Sequence, residues 1–152
     1  MDNNDKENDS WMGISALTYF KLLSVHAEQS FIGYLREREH DEELANSMYV
    51  LLYLSKIKSH IPVTELMNTG RSRSTVFNHV KKLIQLELLD QTTDPFDRRL
   101  TLISMSEKGK ALFDSTQDIR EKVWQELFSG ITEEEHKILM ILLEKAARSK
   151  FG

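Results

Sequence analysis

The sequence predicts a mainly α-helical chain with one small β-hairpin, ordered as two helices, helix–turn–helix, hairpin, and two more helices. Three observations predict it. Apolar residues recur at three- and four-residue spacing over most of the chain. A short segment ending at Gly70 leads into the amphipathic stretch SRSTVFNHVKKLIQ, residues 72–85. Directly after it, two short β-type runs flank the turn residues DPFD, 94–97.

The elements follow in order. Residues 1–12 are expected to be a disordered acidic N-terminus, because the first ten are rich in Asp and Asn with no apolar residue after Met1. From about Ser15 to Arg38, Leu17, Phe20, Leu23, Phe31 and Leu35 keep a helical period. The cluster EREHDEE, residues 37–43, breaks it. A second helix is expected from about Leu44 to Ser59, with Met48, Leu51, Leu52 and Leu54 buried and Lys56, Lys58 and His60 in its last turn, where cations suit the helix dipole. Pro62 stops it. A short helix over Thr64–Asn68, a turn at Gly70 and a helix from Ser72 to about Leu86 come next. Leu88–Thr92 and Arg99–Ile103 read as the two strands. Ser106 reads as the N-cap of a long helix ending near Ser129-Gly130, and Thr132–Glu135 as a capping box that opens the last one.

A helix–turn–helix followed at once by a two-stranded hairpin is the winged-helix layout. The domain assignment is one domain over residues 13–152. Within it the winged helix-turn-helix spans about 44–105, and flanking helices at about 13–40 and 106–150 carry long apolar stripes. Leu112, Ile119, Val123, Trp124, Leu127 and Phe128 form one stripe; Ile138, Leu139, Ile141, Leu142 and Leu143 form another. Such stripes at the chain ends suit either intrachain packing or a second copy related by two-fold symmetry.

Composition narrows the function classes. With no cysteine there is no disulfide framework, thiolate metal site or thiol switch. No apolar run approaches the ~18 residues of a membrane span, and the polar N-terminus is the reverse of a signal peptide. These features fit a cytoplasmic protein. The net charge is −4, yet residues 56–82 carry six cations and a single acid. A confined basic surface in an acidic protein suits an anionic partner.

The stretch 72–85 is the most informative. Val76, Val80, Leu83 and Ile84 define a buried face, and Ser74, Thr75, Asn78, Lys81 and Lys82 fall opposite it. Hydroxyls and amides near a helix start can reach base edges, while cations hold phosphates. No acid occurs from 66 to 86, whereas a solvated structural helix would show Glu–Lys pairs. Arg71, Ser72 and Arg73 extend this set at the helix start. His79 lies on the flank of the buried face, which suits packing or a phosphate contact rather than base reading. At the hairpin tip, Arg98 and Arg99 can enter a minor groove, whose negative potential attracts guanidinium groups. Asp97 beside them suits an orienting role through paired hydrogen bonds.

SRSTV at 72–76 and DPFDRRLTLISMSEKGKAL at 94–112 together resemble the MarR (multiple antibiotic resistance regulator) family of bacterial winged-helix transcription regulators. In that family a Ser-x-Ser/Thr-x-Val type sequence opens the recognition helix. The wing carries Asp-x-Arg, then alternating apolar residues, then Leu-Thr-x-x-Gly. Here these fall on Asp97-Arg98-Arg99 and Met105-Ser106-Glu107-Lys108-Gly109. The similarity covers residues 15–146 in element order and is residue-specific over about 72–113. The resemblance implies a homodimer that binds pseudo-palindromic double-stranded DNA as a repressor. It makes Arg99 the minor-groove arginine, Asp97 its orienting partner, and Ser74, Thr75 and Asn78 the major-groove readers. Two departures stand out. The turn LMNTGR is one residue short of the family pattern, and Arg71 stands where an apolar residue packs between the two helices.

Relatives in the family bind a small, often phenolic effector. Here His26, Tyr34, Met48 and Tyr53 are as typical of a core as of such a cleft, and no effector or cofactor is named. Glu37, Glu39, His40, Asp41, Glu42 and Glu43 offer metal-ligand atoms but lack the several imidazoles or thiolates that fix a geometry, so no metal site is assigned. No nucleophile, phosphate loop or paired-carboxylate motif supports an enzyme. The remaining rival is a winged helix that binds a protein partner; the arginine pair and the acid-free helix favour DNA.

Overall fold

The computed structural model describes residues 3–57 and 59–152, with side chains from Ser15 onward. Six α-helices are present among the described residues: α1 (Asn3–Glu37), α2 (Glu42–Leu54), α3 (Arg73–Gln85), α4 (Glu107–Ser115), α5 (Gln117–Leu127) and α6 (Glu133–Phe151). A 3-10 helix, Val63–Thr69, precedes α3, and three short strands are β1 (Ile61–Pro62), β2 (Leu89–Thr93) and β3 (Thr101–Met105). The chain divides into two compact units, Ser30–Arg120 and Met1–Gln29 with Glu121–Gly152.

Unit Ser30–Arg120 holds the winged helix. Its core includes Leu35 of α1; Met48, Val50, Leu51 and Leu54 of α2; Leu66 of the 3-10 helix; Val76, Val80 and Leu83 of α3; and Ile103 of β3. Leu52, expected inside, is half-buried. The sheet has three strands rather than two, in the order β1-β3-β2, all antiparallel. The hairpin pairs Leu89 with Met105 and Thr93 with Thr101, so its strands sit one to two residues later than the alternation placed them. Two-residue β1 pairs Ile61 with Ile103. It escaped the sequence reading because two residues carry no periodicity and Pro62 reads as a helix stop.

Two further boundaries differ from expectation. Helix α1 begins at Asn3, so the polar stretch expected to be disordered continues the helix backbone; Met1 and Asp2 lie outside the described residues. Helix α2 ends at Leu54, not Ser59. Lys56 therefore lies past the helix, and His60 Nε2 sits 3.1 Å from Ser104 Oγ on β3 rather than on a helix terminus. Lys58 lies outside the described residues.

Helix ends are set by identifiable caps. α1 and α3 both stop in a Schellman arrangement with a glutamate in the left-handed region, Glu39 (φ 62°) and Glu87 (φ 61°). His40 N donates to Leu35 O and Glu39 N to Arg36 O; Leu88 N donates to Leu83 O and Glu87 N to Ile84 O. The acidic cluster after α1 is thereby distributed. Asp41 caps α2 by accepting from Leu44 N at 2.8 Å, Glu42 pairs with Arg36 at 2.6 Å, and Glu43 pairs with Lys82 at 3.1 Å.

The helix expected from Ser106 to Ser129 breaks at Thr116. The Phe113 carbonyl accepts from Thr116 N, Thr116 Oγ1 and Arg120 Nη1, the last at 2.6 Å. Those donors take the place of the next intrahelical N–H, and side-chain insertion of this kind ends or bends a helix. Arg120 also lies 3.7 Å over the Phe113 ring, and Thr116 is fully buried. Arg38 binds Asp118 through both terminal guanidinium nitrogens and reaches the Ser115 carbonyl at 3.1 Å.

In the other unit, α6 opens with the capping box expected, Thr132 and Glu135 each bonding the other's backbone N–H. Trp124, Phe128 and His136 form an aromatic cluster with ring centroids 4.3–6.2 Å apart. Of the apolar stripes, Ile119 and Val123 are buried, whereas apolar residues near the chain ends are open. Leu17, Tyr19, Phe20 and Leu22 on α1, and Ile138, Met140, Ile141 and Leu142 on α6, are half or more exposed.

Candidate nucleic-acid interface

Helix α3 starts at Ser72, whose hydroxyl accepts from Thr75 N at 3.3 Å and donates to Thr75 Oγ1 at 2.8 Å. This N-cap leaves both hydroxyls engaged with each other, and Thr75 is half-buried. Val76, Val80 and Leu83 face the core, while Arg73, Ser74, Asn78 and Lys81 are exposed. The Arg73 guanidinium lies 5.1 Å over the half-exposed ring of Phe77. The outward face thus carries a cation, a hydroxyl, an amide and a second cation in sequence order along the helix, with the helix N-terminus at the hydroxyl end.

Residues Val63–Thr69 form a 3-10 helix, which rises about 2.0 Å per residue against 1.5 Å in an α-helix. Seven residues therefore span what roughly nine would in an α-helix. Gly70 closes it at φ 78°, a left-handed position that glycine adopts without cost.

Three of the predicted contact residues turn toward α2. The Arg71 guanidinium stacks on Tyr49 of α2, 3.6 Å from the ring centroid. It fills the place of the apolar residue expected there, and burial pulls its pKa down. His79 Nδ1 lies 3.1 Å from the same Tyr49 hydroxyl, its ring edge-on to the tyrosine. Burial, then the Arg71 charge, lowers the His79 pKa, while Glu43 opposes that shift. Burial pushes Tyr49 up to about 12, so it stays a neutral hydroxyl. Lys82 Nζ is 3.1 Å from Glu43 Oε2, and this pairing raises its pKa. Sequence reading missed Tyr49 and Glu43 as partners on α2, because their contacts join positions far apart in the chain.

The wing turn is organised by two aspartates. Asp94 Oδ1 accepts from Phe96 N at 2.7 Å and Asp97 N at 2.8 Å, and Asp94 N donates to Leu100 O. Asp97 Oδ1 accepts from Arg99 N and Nε at 3.0 and 3.1 Å, and Oδ2 from Nη2 at 3.4 Å. These bonds hold the Asp97 carboxyl below the ordinary carboxylate range. The Arg99 side chain is aimed outward and 91% exposed; Arg98 is exposed beside it. Phe96 at the tip is 99% exposed and was not singled out from the sequence, although an aromatic inside a Pro/Asp turn is itself a signal.

The wing is bound to the body at Gly109. Ser106 Oγ donates to Glu87 O and accepts from Gly109 N, which brings α4 against the start of β2. A β-carbon at Gly109 would lie 2.1 Å from the Leu88 carbonyl oxygen. That close approach is why a glycine stands there.

The residues weighed for an effector cleft have ordinary places. Met48 is buried in the α2 core, Tyr53 lies at the limit of hydrogen-bonding distance from Glu65 and Asn68, Tyr34 is half-buried, and His26 is exposed. Among the described residues no group of three or more His, Asp or Glu is placed to hold a metal ion, and no helix is long and apolar enough to cross a membrane.

No protein-family model matches the chain. It is 34% identical over 79 residues, 52% of its length, to an uncharacterized HTH-type transcriptional regulator, YwaE, of Bacillus subtilis; the chain covers 46% of that protein, so it spans about half the length of this curated relative. Among solved structures it is similar to wild-type MarR of E. coli, with a TM-score of 0.67 and 19% identity over 84% of this chain and 93% of that one. It is also similar to a MepR–DNA complex from S. aureus, with a TM-score of 0.58 and 21% identity over 86% of this chain and 94% of that one. The helix–turn–helix, the three-stranded wing and the flanking helices together make this chain a winged-helix protein with the fold of the MarR-family transcription regulators.

Proposed function

We propose that this chain is a non-catalytic, double-stranded DNA-binding transcription regulator of the cytoplasm, acting as a two-fold homodimer. The observation that carries the reading is the pairing, within one unit, of an acid-free outward face on α3 with a wing whose Arg99 is held outward by Asp97. Ser74 and Asn78 serve as the base-edge readers. Arg73 and Lys81 take phosphates, and Arg98 and Arg99 enter the adjacent minor groove. Thr75 and Ser72 act as the cap that sets the helix start. Arg71, His79 and Lys82 act from behind, holding α3 against α2.

The MepR–DNA complex, whose fold this chain shares, supports the DNA assignment. The open apolar faces of α1 and α6 support a second copy as partner, since contiguous exposed apolar surface marks association sites. Two recognition helices related by a two-fold axis read half-sites about one helical turn apart, ~34–36 Å. Repression of a nearby gene is the regulatory outcome that the resemblance to the MarR family implies.

The test is selection of binding sites from a randomised duplex pool at moderate salt. An enriched inverted repeat supports sequence-specific binding and two-fold symmetry together. A folded protein that enriches nothing refutes the reading and leaves the protein-binding winged helix.

A further inference from the structure

We infer that Phe96 is an apolar wedge, which the wing inserts at a base step of the minor groove beside the arginine that Asp97 holds. The inference rests on the DNA-binding reading and extends it to a residue with no role assigned so far.

A lone exposed aromatic is unremarkable on most surfaces, so position and rigidity carry the argument. Phe96 sits at the outermost turn of the hairpin and is 99% exposed. The turn that presents it is not slack. Pro95 fixes the preceding φ, Asp94 Oδ1 accepts from the Phe96 N–H at 2.7 Å, and Asp94 N and Leu100 N close the loop on Leu100 O and Asp97 O. The backbone that carries the ring is therefore held by bonds on both sides, and the ring stands clear of its own unit.

The surrounding charge selects the occupant. Asp94 is turned inward onto two backbone amides and Asp97 onto Arg99, so the two acids of the turn are both engaged. The exposed residues around Phe96 are Pro95, Arg98, Arg99 and, at 36%, Leu100. An apolar tip flanked by cations suits a groove with a stacked, apolar floor and phosphate walls. Minor-groove proteins use Phe and Pro in this way, partially unstacking a step while cations hold the backbone. Flexible pyrimidine–purine steps open most easily and are the expected targets.

The test uses a duplex enriched by the wild-type chain from the randomised pool, with 2-aminopurine placed in turn at each step across one half-site. Wild-type protein should raise 2-aminopurine fluorescence at one step in the wing-facing minor groove. Phe96→Ala, at a position with no packing to lose, should keep its circular dichroism and salt slope, bind on the order of tenfold more weakly, and abolish the rise. Phe96→Leu should keep part of it. A fluorescence response and affinity unchanged in Phe96→Ala overturn the wedge, as does a wild-type complex that unstacks no step. Failure to enrich any duplex is a different result: it removes the DNA reading itself and points to a protein partner at the tip.

Discussion

The Arg71 guanidinium lies 3.6 Å over the ring of Tyr49, so a residue that reads as a DNA contact in the sequence also packs against α2. A cation stacked on an aromatic in a partly desolvated site contributes about 0.5–2 kcal/mol. Arg71→Ala should therefore lower stability on the order of 1 kcal/mol in urea unfolding. Arg71→Leu should recover most of it, because it restores the apolar contact without a charge. If Arg71→Leu unfolds like the wild type but loses DNA affinity with a smaller salt slope, Arg71 works on phosphate instead.

The same tyrosine makes stability depend on pH. His79 faces the Tyr49 hydroxyl and the Arg71 charge, with Glu43 opposing, and its pKa lies below the ordinary 6.5. The unfolded chain then binds a proton more readily than the folded one. Stability is complete above pH 6.5 and declines as pH falls from there toward the folded value. Melting temperatures between pH 7.5 and 5 should drop more steeply for the wild type than for His79→Phe, which keeps a ring against Tyr49 but cannot titrate. Parallel profiles would show that His79 carries none of the dependence.

Asp97 gives a prediction whose sign runs against simple charge counting. Asp97→Asn makes the wing more positive, which by itself favours DNA. It also releases Arg99 from a carboxylate that accepts from its backbone and its guanidinium. Because Arg99 is otherwise fully exposed, its direction depends on that contact, and Asp97→Asn should weaken duplex binding. Tighter binding in a filter or fluorescence titration would mean that orientation contributes less than charge. Since the Asp97 carboxyl is held below its ordinary range, binding should not change through this residue between pH 5 and 8.

Lys81 and Lys82 are adjacent in sequence and differ in what they face. Lys81 is exposed, whereas Lys82 Nζ is 3.1 Å from Glu43. Each phosphate neutralised contributes ~0.9 to the salt slope of binding. Lys81→Ala should lower the slope by about one, and Lys82→Ala by clearly less. In a Glu43→Gln background Lys82 is released, and its alanine substitution should then cost slope as Lys81 does. Equal effects in the original background would place both lysines on phosphate.

What the sequence made legible follows from where its information lies. The buried face of α3, the Ser72 and Ser106 caps, the Thr132 capping box and the Asp97–Arg99 pair are local patterns, each contained within a few residues, and all are present. The misread features depend on distant partners. Strand β1 exists because Ile61 meets Ile103, and α4 parts from α5 because Thr116 and Arg120 converge on one carbonyl. The contacts of Arg71, His79 and Lys82 with Tyr49 and Glu43 were illegible for the same reason, since α2 supplies the partners. Helix α1 ends at a Glu39 in the left-handed region, a position where glycine would have signalled the stop and glutamate does not.

The glycine in the wing-to-helix junction is required by contact, and a second glycine supplies its control. A β-carbon on Gly109 would meet the Leu88 carbonyl oxygen at 2.1 Å and Met105 Cγ at 2.9 Å. The oxygen cannot swing away, because Leu88 O accepts from Ser106 N at the base of the wing. Gly109→Ala should thus force α4 off the strand and cost ~1–3 kcal/mol, the usual range for overpacking. Gly33, inside α1, has open space where its β-carbon would go. Gly33→Ala should act in the opposite direction, stabilising by roughly 0.5–1 kcal/mol through helix propensity. Urea unfolding of the two variants separates contact from propensity: if Gly109→Ala also stabilised, the junction would have to relax, and the wing would not be anchored by that approach.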